Sequence, residues 1–129
     1  MKKFCLLFIV SAFLFSCDDV TTSGLSGKWQ MKTVEKNGVV TVVDTVWYNF
    51  QSESIFSIQI YVARQDEYLA IIGMKTQKDN VLSIELGSTE FIDYSDWDSI
   101  YRSFTIDKVN RKELILISEE GYTYSFIKF

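Results

Sequence analysis

The stretch that decides the fold is GKWQMKTVEKNGVVTVVDTVWYNFQ, residues 27–51. At its start, apolar side chains alternate with polar ones, which is the period of a β-strand with one buried face. Asn37-Gly38 follows and is the strongest short signal for a β-hairpin turn. Residues 39–51 are again rich in β-formers, with a break predicted near Asp44. This stretch therefore predicts an antiparallel hairpin at the start of an all-β domain.

The rest of the chain repeats this pattern of short β segments separated by turn signals, and no helical period stands out. A single helical turn near residues 94–99 is considered but not assigned. The spacing of the segments, about 8–12 residues, is typical of an all-β sandwich or barrel. Eight strands are predicted, at residues 27–36, 39–51, 56–62, 68–75, 82–86, 102–109, 113–118 and 122–129.

The last predicted strand carries apolar side chains on both faces and runs to Phe129. We therefore expect it to pair on both sides, which closes the sheet onto the first strand and leaves no free edge. Sequential hairpins also favour pairing between strands that are neighbours in sequence. The predicted fold is an eight-stranded antiparallel up-and-down barrel, whose interior is either filled by side chains or holds one small ligand.

Alternation along the predicted strands points one set of aromatic side chains into the barrel. These side chains either fill the interior or line a pocket for an apolar or aromatic small molecule. The shortness of the chain favours a filled barrel. The predicted inward set is Trp29, Tyr48, Phe50, Phe56, Phe104, Tyr124 and Phe126. The candidate ligand-binding residues are Tyr48, Phe50, Phe56, Arg102, Phe104 and Tyr124.

Residues 90–98, EFIDYSDWD, form an irregular segment that is both acidic and aromatic. Its carboxylates suggest a Ca²⁺ loop, but the EF-hand template fails because the required Gly and Glu are missing. A sugar-binding loop, a protein-interaction loop and a solvated loop with Trp97 packed as a lid on the barrel all stay open. Glycoside hydrolysis is not expected, because the acids crowd on one loop with no opposing acid. The candidate interaction residues are Asp93, Tyr94, Asp96, Trp97 and Asp98.

Composition excludes several kinds of chemistry. The 129 residues contain no His, two Cys, and 13 Lys and Arg against 17 Asp and Glu. Without His there is no Ser-His-Asp triad and no imidazole metal ligand, and two Cys cannot build a Cys₄ zinc site. The acidic balance argues against nucleic acid, which needs clustered Lys and Arg. We therefore expect a non-enzymatic protein without a metal or other cofactor.

The N-terminus, MKKFCLLFIVSAFLFSC, reads as a secretory signal peptide with a positive start and an apolar run too short to span a bilayer. Its end, Leu14-Phe15-Ser16-Cys17, resembles the lipobox of bacterial lipoproteins. The resemblance implies removal of residues 1–16, acylation of Cys17, for example with palmitate, and stable anchoring in a membrane by several acyl chains. Residues 17–26 are then the acylated Cys and a flexible tether.

Asp18-Asp19, directly after that Cys, leaves the destination open. In enterobacteria, Asp at this place resembles an inner-membrane retention signal. In lipoproteins of the Bacteroidota type, an acidic stretch here resembles a surface-export signal, and a solvated linker is an equally good interpretation. We expect a lipid anchor in the outer membrane of the cell envelope, with the periplasmic and surface faces both open.

Gly27-Lys28-Trp29, at the start of the first strand, resembles the G-x-W motif of lipocalins. In that family the Trp plugs the closed end of the barrel and a basic residue on the last strand packs across its ring. Lys128 would take this position here, in place of the usual Arg. The resemblance therefore implies that Gly27, Trp29 and Lys128 close the barrel formed by residues 27–129.

The order of lipobox, short tether, G-K-W and closing aromatic strand is similar to that of short lipocalin-like lipoproteins of Bacteroidota. The resemblance implies a binding protein that takes a small apolar ligand at the barrel mouth. The alternative is a protein-interaction module with a filled barrel, acting as an inhibitor or accessory subunit of a cell-envelope complex. An exposed aromatic loop around Trp97 motivates this second hypothesis.

Overall fold

The structure is a computed structural model that describes residues 24–129. The predicted signal peptide at residues 1–16, the predicted acylation site Cys17 and the tether up to residue 23 lie outside the described residues. Within residues 24–129, no helix is long and apolar enough to cross a membrane.

Residues 24–129 fold into nine β-strands and one short 3₁₀ helix. The strands are β1 Gly27–Lys36, β2 Val39–Val42, β3 Val46–Phe50, β4 Ile55–Val62, β5 Glu67–Lys78, β6 Val81–Leu86, β7 Tyr101–Val109, β8 Glu113–Ser118 and β9 Thr123–Lys128. The 3₁₀ helix, Glu90–Tyr94, lies between β6 and β7.

All strand pairs are antiparallel, and the sheet closes on itself. One side of β1 pairs with β9, where Met31 lies opposite Phe126. The other side of β1 pairs first with β3 and then with β2, so β2 and β3 share one position in the barrel. The remaining strands follow in chain order. This closed barrel of eight strand positions confirms the predicted fold.

The opening hairpin forms as its sequence predicts. Asn37 and Gly38 have φ angles of 54° and 80°, the left-handed conformation that a two-residue hairpin turn requires. The break predicted near Asp44 separates β2 from β3, and the Asp44 carbonyl accepts a hydrogen bond from Gln30 Nε2 at 2.9 Å. The predicted strand at residues 39–51 is therefore two short strands joined by a bend.

The fifth strand is longer than expected. It runs past the predicted end at Lys75 to Lys78, which lies opposite Val81 of β6. The reason is a tight turn at Asp79-Asn80, in which Asp79 adopts a φ of 56°. Because of this turn, the last six residues of β5 pair with β6 along the whole length of β6.

The short helix between β6 and β7 lies earlier in the chain than the helical turn considered near residues 94–99. The structure places a 3₁₀ helix at Glu90–Tyr94, and Ser88 Oγ accepts a hydrogen bond from the first amide of the helix at 3.2 Å. Phe91, within the helix, is buried. The N-cap residue Thr89 makes no side-chain capping hydrogen bond, so the burial of Phe91 is the feature that favours a helix here.

The interior of the barrel is aromatic. The seven side chains predicted to point inward are each at most 2% exposed, which confirms that set. Tyr48, near the middle, makes an edge-on contact with Phe56 at a centroid distance of 5.3 Å. Phe91 and Trp97, from the irregular segment between β6 and β7, complete the core.

Leu25 corrects the predicted extent of the tether. Its side chain is 1% exposed, and its carbonyl accepts a hydrogen bond from Trp29 Nε1 at 2.9 Å. Burying a Leu side chain contributes about 1.5–3 kcal/mol, so this residue belongs to the barrel. The tether predicted to reach Ser26 therefore ends before Leu25.

Candidate functional site

One end of the barrel is closed by the residues that the lipocalin resemblance names. Lys128 Nζ lies 4.6 Å from the centroid of the Trp29 ring and donates a hydrogen bond to the carbonyl of Ser26. Gly27 has a φ of 108°, and a Cβ at this position would collide with the Lys128 side chain. Glycine is therefore favoured here by its backbone angle, and any other residue would also force the end of the Lys128 side chain to move.

The opposite end of the barrel holds an open cavity of about 360 Å³. This volume lies within the range of about 300–1,000 Å³ that is typical of small-molecule sites. Five aliphatic or thioether side chains line it, namely Met31, Val34, Val43, Val46 and Ile60. Six aromatic side chains line it, namely Tyr48, Phe91, Tyr94, Trp97, Tyr122 and Tyr124. Four polar side chains complete the lining, namely Thr41, Thr45, Ser95 and Asp96.

Trp97 forms one wall of this mouth cavity. Its side chain is 2% exposed, and its ring packs edge-on against Phe91 at 5.8 Å and tilted against Phe104 at 6.0 Å. The indole Nε1 donates a hydrogen bond to the Tyr48 hydroxyl at 3.4 Å. The hypothesis of an exposed aromatic interaction loop is therefore wrong, because Trp97 packs as a lid on the barrel.

Arg102, on β7, is buried directly behind the mouth cavity. Its Nη1 lies 3.1 Å from Asp96 Oδ1, and its Nη2 lies 3.0 Å from Glu120 Oε1. Its guanidinium also lies 5.2–5.8 Å from the centroids of four aromatic rings, those of Trp97, Phe104, Tyr122 and Tyr124. Burial, the largest single effect, would lower the pKa of Arg102, but the Asp96 carboxylate together with Tyr124 and Tyr48 outweighs it and raises this pKa. Arg102 is therefore a permanent cation that is held inside the wall.

Asp96 connects this cation to the cavity. Its Oδ1 pairs with Arg102, its Oδ2 accepts a hydrogen bond from the Tyr124 hydroxyl, and its side chain is 36% exposed. Burial, followed by the Asp96 hydrogen bond, raises the pKa of Tyr124. Burial likewise raises the pKa of Tyr48. Both phenols therefore stay protonated at neutral pH and present neutral hydroxyl groups at the cavity.

The predicted ligand-binding residues divide into two groups. Tyr48 and Tyr124 line the mouth cavity. The others belong to the filled interior or the wall behind the cavity, where Phe50 and Phe56 pack at a centroid distance of 5.1 Å. The residues that the structure does not bring to the cavity are Phe50, Phe56, Arg102 and Phe104. The barrel is therefore filled near its closed end and open at its mouth.

The candidate interaction residues divide in the same way. Asp93 and Asp98 are exposed to solvent, whereas Tyr94, Asp96 and Trp97 line the mouth cavity. Sequence reasoning missed several lining residues, including Phe91, because segment 90–98 has no period that separates inward from outward side chains. A signal did exist for Tyr122, which precedes Tyr124 by two positions and so shares its face.

The mouth cavity combines apolar walls with few polar groups. Among the residues that the structure describes, no group of three or more His, Cys, Asp or Glu side chains is arranged to hold a metal ion. Apolar walls with a few placed polar groups, here Asp96 and the Tyr hydroxyls, are the usual composition of a small-molecule pocket.

Comparison with known proteins agrees with this architecture. A sequence model of the lipocalin-like domain family matches residues 11–129. Among curated proteins no match is found. The crystal structure of a lipocalin-like protein from Bacteroides uniformis has a TM-score of 0.74 at 26% identity, covering 83% of this chain and 100% of that one.

Two further solved structures share the fold. An uncharacterized protein from Bacteroides eggerthii has a TM-score of 0.70 at 25% identity, covering 81% of this chain and 99% of that one. Lobster apocrustacyanin A1 has a TM-score of 0.50 at 17% identity, covering 90% of this chain and 66% of that one. At this lower identity, the likeness to the lobster protein concerns the fold alone.

Proposed function

The chain belongs to the lipocalin-like domain family, and from this premise we propose that it is a membrane-anchored, non-enzymatic binding protein. Its ligand is a small apolar or aromatic molecule, which enters the open end of the barrel. No cofactor takes part in this function.

The observation that carries the proposal is the mouth cavity. Its volume of about 360 Å³ is preformed, and most of its wall consists of aromatic and aliphatic side chains. Transferring apolar ligand surface into such a site gains about 25 cal/mol per Å² of buried apolar area. A barrel filled to its mouth, as the interaction hypothesis requires, would leave no such volume.

The proposed location rests on the N-terminal sequence. Residues 1–16 have the pattern of a signal peptide, and Leu14-Phe15-Ser16-Cys17 has the pattern of a lipobox. Several acyl chains on Cys17 would hold the protein stably at a membrane surface. We propose that this membrane is the outer membrane of a bacterial cell envelope.

Ligand binding is tested by filling the cavity. Val43 lines the mouth cavity, and Val43→Trp introduces a bulky side chain there. Val42 is 75% exposed and does not line the cavity, so Val42→Trp is the matched control. Both changes are made in a chain carrying Cys17→Ser, which removes the proposed acylation and allows measurement without detergent.

The measurement is the fluorescence increase of N-phenyl-1-naphthylamine, a neutral aromatic dye, on titration with each protein. We expect saturable binding that Val43→Trp weakens at least tenfold and that Val42→Trp leaves unchanged. Absence of saturable binding, or an equal loss in the two variants, would contradict the proposed cavity.

A further inference from the structure

The mouth cavity has an electrostatic preference. Of the lining residues within 24–129, Asp96 is the only one that is charged at neutral pH. No Lys or Arg among the described residues lines the cavity. A ligand that enters therefore meets one carboxylate and no cation on the wall.

Arg102 does not compensate for this carboxylate. Its side chain is 3% exposed, and it pairs with both Asp96 and Glu120. One cation shared between two carboxylates leaves the group with a net negative charge. An anionic ligand would have to displace Asp96 before it reached the guanidinium, at the cost of an ion pair already satisfied inside the wall.

Asp96 still has capacity to accept hydrogen bonds. An ionised carboxylate offers about four acceptor positions. In the structure, Arg102 Nη1 and the Tyr124 hydroxyl each take one. The side chain remains 36% exposed, so its unused positions are open to a donor.

The aromatic side chains of the cavity wall also favour a positively charged ligand. The face of an aromatic ring attracts a cation within about 6 Å of its centroid. Tyr94, Tyr122 and Tyr124 line the cavity together with Asp96. Lys36 Nζ already lies 4.2 Å from the centroid of the Tyr122 ring, although Lys36 does not line the cavity. Lys36 and Arg102 thus already occupy the Tyr122 ring, and Arg102 occupies the Tyr124 ring, so the Tyr94 ring is the one that we assign to a ligand cation.

We propose that the mouth cavity selects a small cationic amphiphile, an organic amine with an apolar or aromatic body. The ammonium group donates to Asp96 and lies against the Tyr94 ring, while the body packs among Val34, Val43 and Ile60. This inference rests on the proposed function, and it narrows the ligand from apolar molecules in general to protonated amines. Carboxylates with the same chain length as the amine are disfavoured, because their negative charge is repelled by that of Asp96.

The experiment compares three ligands with the same eight-carbon chain: octylamine, octanol and octanoate. Each displaces N-phenyl-1-naphthylamine from the Cys17→Ser chain at pH 7. We expect octylamine to bind at least tenfold more tightly than octanoate, with octanol between them. Raising the salt concentration should narrow the difference, because screening weakens interactions between charges near the surface.

Asp96→Asn tests the residue assigned to the ammonium group. It removes the charge at nearly constant shape, so the preference for octylamine over octanoate should fall at least fivefold. Asp98→Asn is the matched control, because Asp98 is exposed on the same segment and does not line the cavity. Should Asp96→Asn fail to fold, Glu120→Gln changes the net charge behind the cavity from negative to neutral and should also weaken the preference.

The outcomes separate this inference from the proposed function. Octanoate or octanol binding as tightly as octylamine, or a preference that survives in both Asp96→Asn and Glu120→Gln, would overturn the inference while leaving a ligand-binding barrel. If the dye shows no saturable binding, the proposed function itself fails. Tighter binding of octylamine that depends on Asp96 and not on Asp98 supports both.

Discussion

Trp97 and Tyr48 meet at the open end of the barrel although they lie 49 residues apart in the chain. The indole Nε1 donates to the phenolic oxygen at 3.4 Å, and the two side chains are only 2% and 1% exposed. This contact joins the irregular segment between β6 and β7 to a strand on the other side of the interior. Trp97 thus both closes the core and forms part of the cavity wall.

Removing the Trp97 side chain should destabilise the protein strongly. Truncation of a buried Trp to Ala costs about 3–5 kcal/mol, so we expect Trp97→Ala to lower the free energy of unfolding by that amount. Tyr48→Phe removes the hydrogen bond and leaves the buried Trp97 Nε1 without its acceptor, which should cost about 1–3 kcal/mol. Urea denaturation followed by circular dichroism measures both. A loss below about 1 kcal/mol in Trp97→Ala would show that the segment does not depend on this side chain.

Glu120 should make stability depend on pH. Partial burial would raise its pKa, but the hydrogen bonds and positive charge of Arg102, together with a hydrogen bond from Ser118, outweigh this and lower it below the usual value of about 4.3. Because the pKa is lower in the folded than in the unfolded chain, the ionised carboxylate stabilises the fold above the unfolded value. This contribution is lost as the pH falls through the folded pKa.

The test compares Glu120→Gln with the original protein between neutral and acidic pH. We expect Glu120→Gln to lower the free energy of unfolding at pH 7 and to have no effect once Glu120 is fully protonated in both states. The difference is small, because the side chain is 39% exposed and solvent screens the pair. Glu119→Gln, at the exposed neighbouring position, is the control. A pH dependence that is the same in the original protein and both variants would rule out this assignment.

Much of the fold follows from local signals in the sequence. The Asn37-Gly38 turn and the strict alternation of β3 and β4 each depend on a few consecutive residues, so the strands and their order were predictable. Closure between β1 and β9 was predictable as well, because both faces of the last strand are apolar near Phe126. These features require no knowledge of distant contacts.

The mouth of the barrel could not be predicted in the same way. The burial of Trp97 depends on Tyr48, 49 residues away, and the position of Asp96 depends on Tyr124, 28 residues away, as well as on Arg102. Leu25 is flanked by Gly and Ser, and a single apolar residue carries no period. The hydrophobic pattern therefore defined the filled half of the barrel, whereas the cavity arises from contacts that only the folded chain makes.

The proposed anchor predicts a change in where the protein is found in the cell. Acyl chains on Cys17 would supply about 0.8 kcal/mol for each buried CH₂ group, so Cys17→Ser should move the protein from the membrane to the soluble fraction. Cys5→Ser is the control, since Cys5 lies inside the predicted signal peptide, and it should leave the protein membrane-bound. Fractionation of cells followed by immunoblotting measures both. Membrane association that persists in Cys17→Ser would contradict acylation at this residue.

Gly27, at the closed end of the barrel, and Gly38, in the hairpin turn at the other end of β1, form a matched pair for substitution. Gly27 and Gly38 both have positive φ angles, 108° and 80°, and alanine is strained at either position. A Cβ at Gly38 meets no atom within 4 Å, whereas a Cβ at Gly27 would collide with the Lys128 side chain. Gly38→Ala should therefore cost only the backbone strain, about 1–2 kcal/mol.

Gly27→Ala carries that strain and also displaces the Lys128 ammonium from the Trp29 ring, a contact that contributes about 0.5–2 kcal/mol. We expect Gly27→Ala to be more destabilising than Gly38→Ala by roughly that amount, as measured by urea denaturation. In a Lys128→Met background the collision with the ammonium group and the cation–π contact are both absent, so the two glycine variants should become more nearly equal. Equal costs in the original background would show that Lys128 does not support the closed end through Trp29.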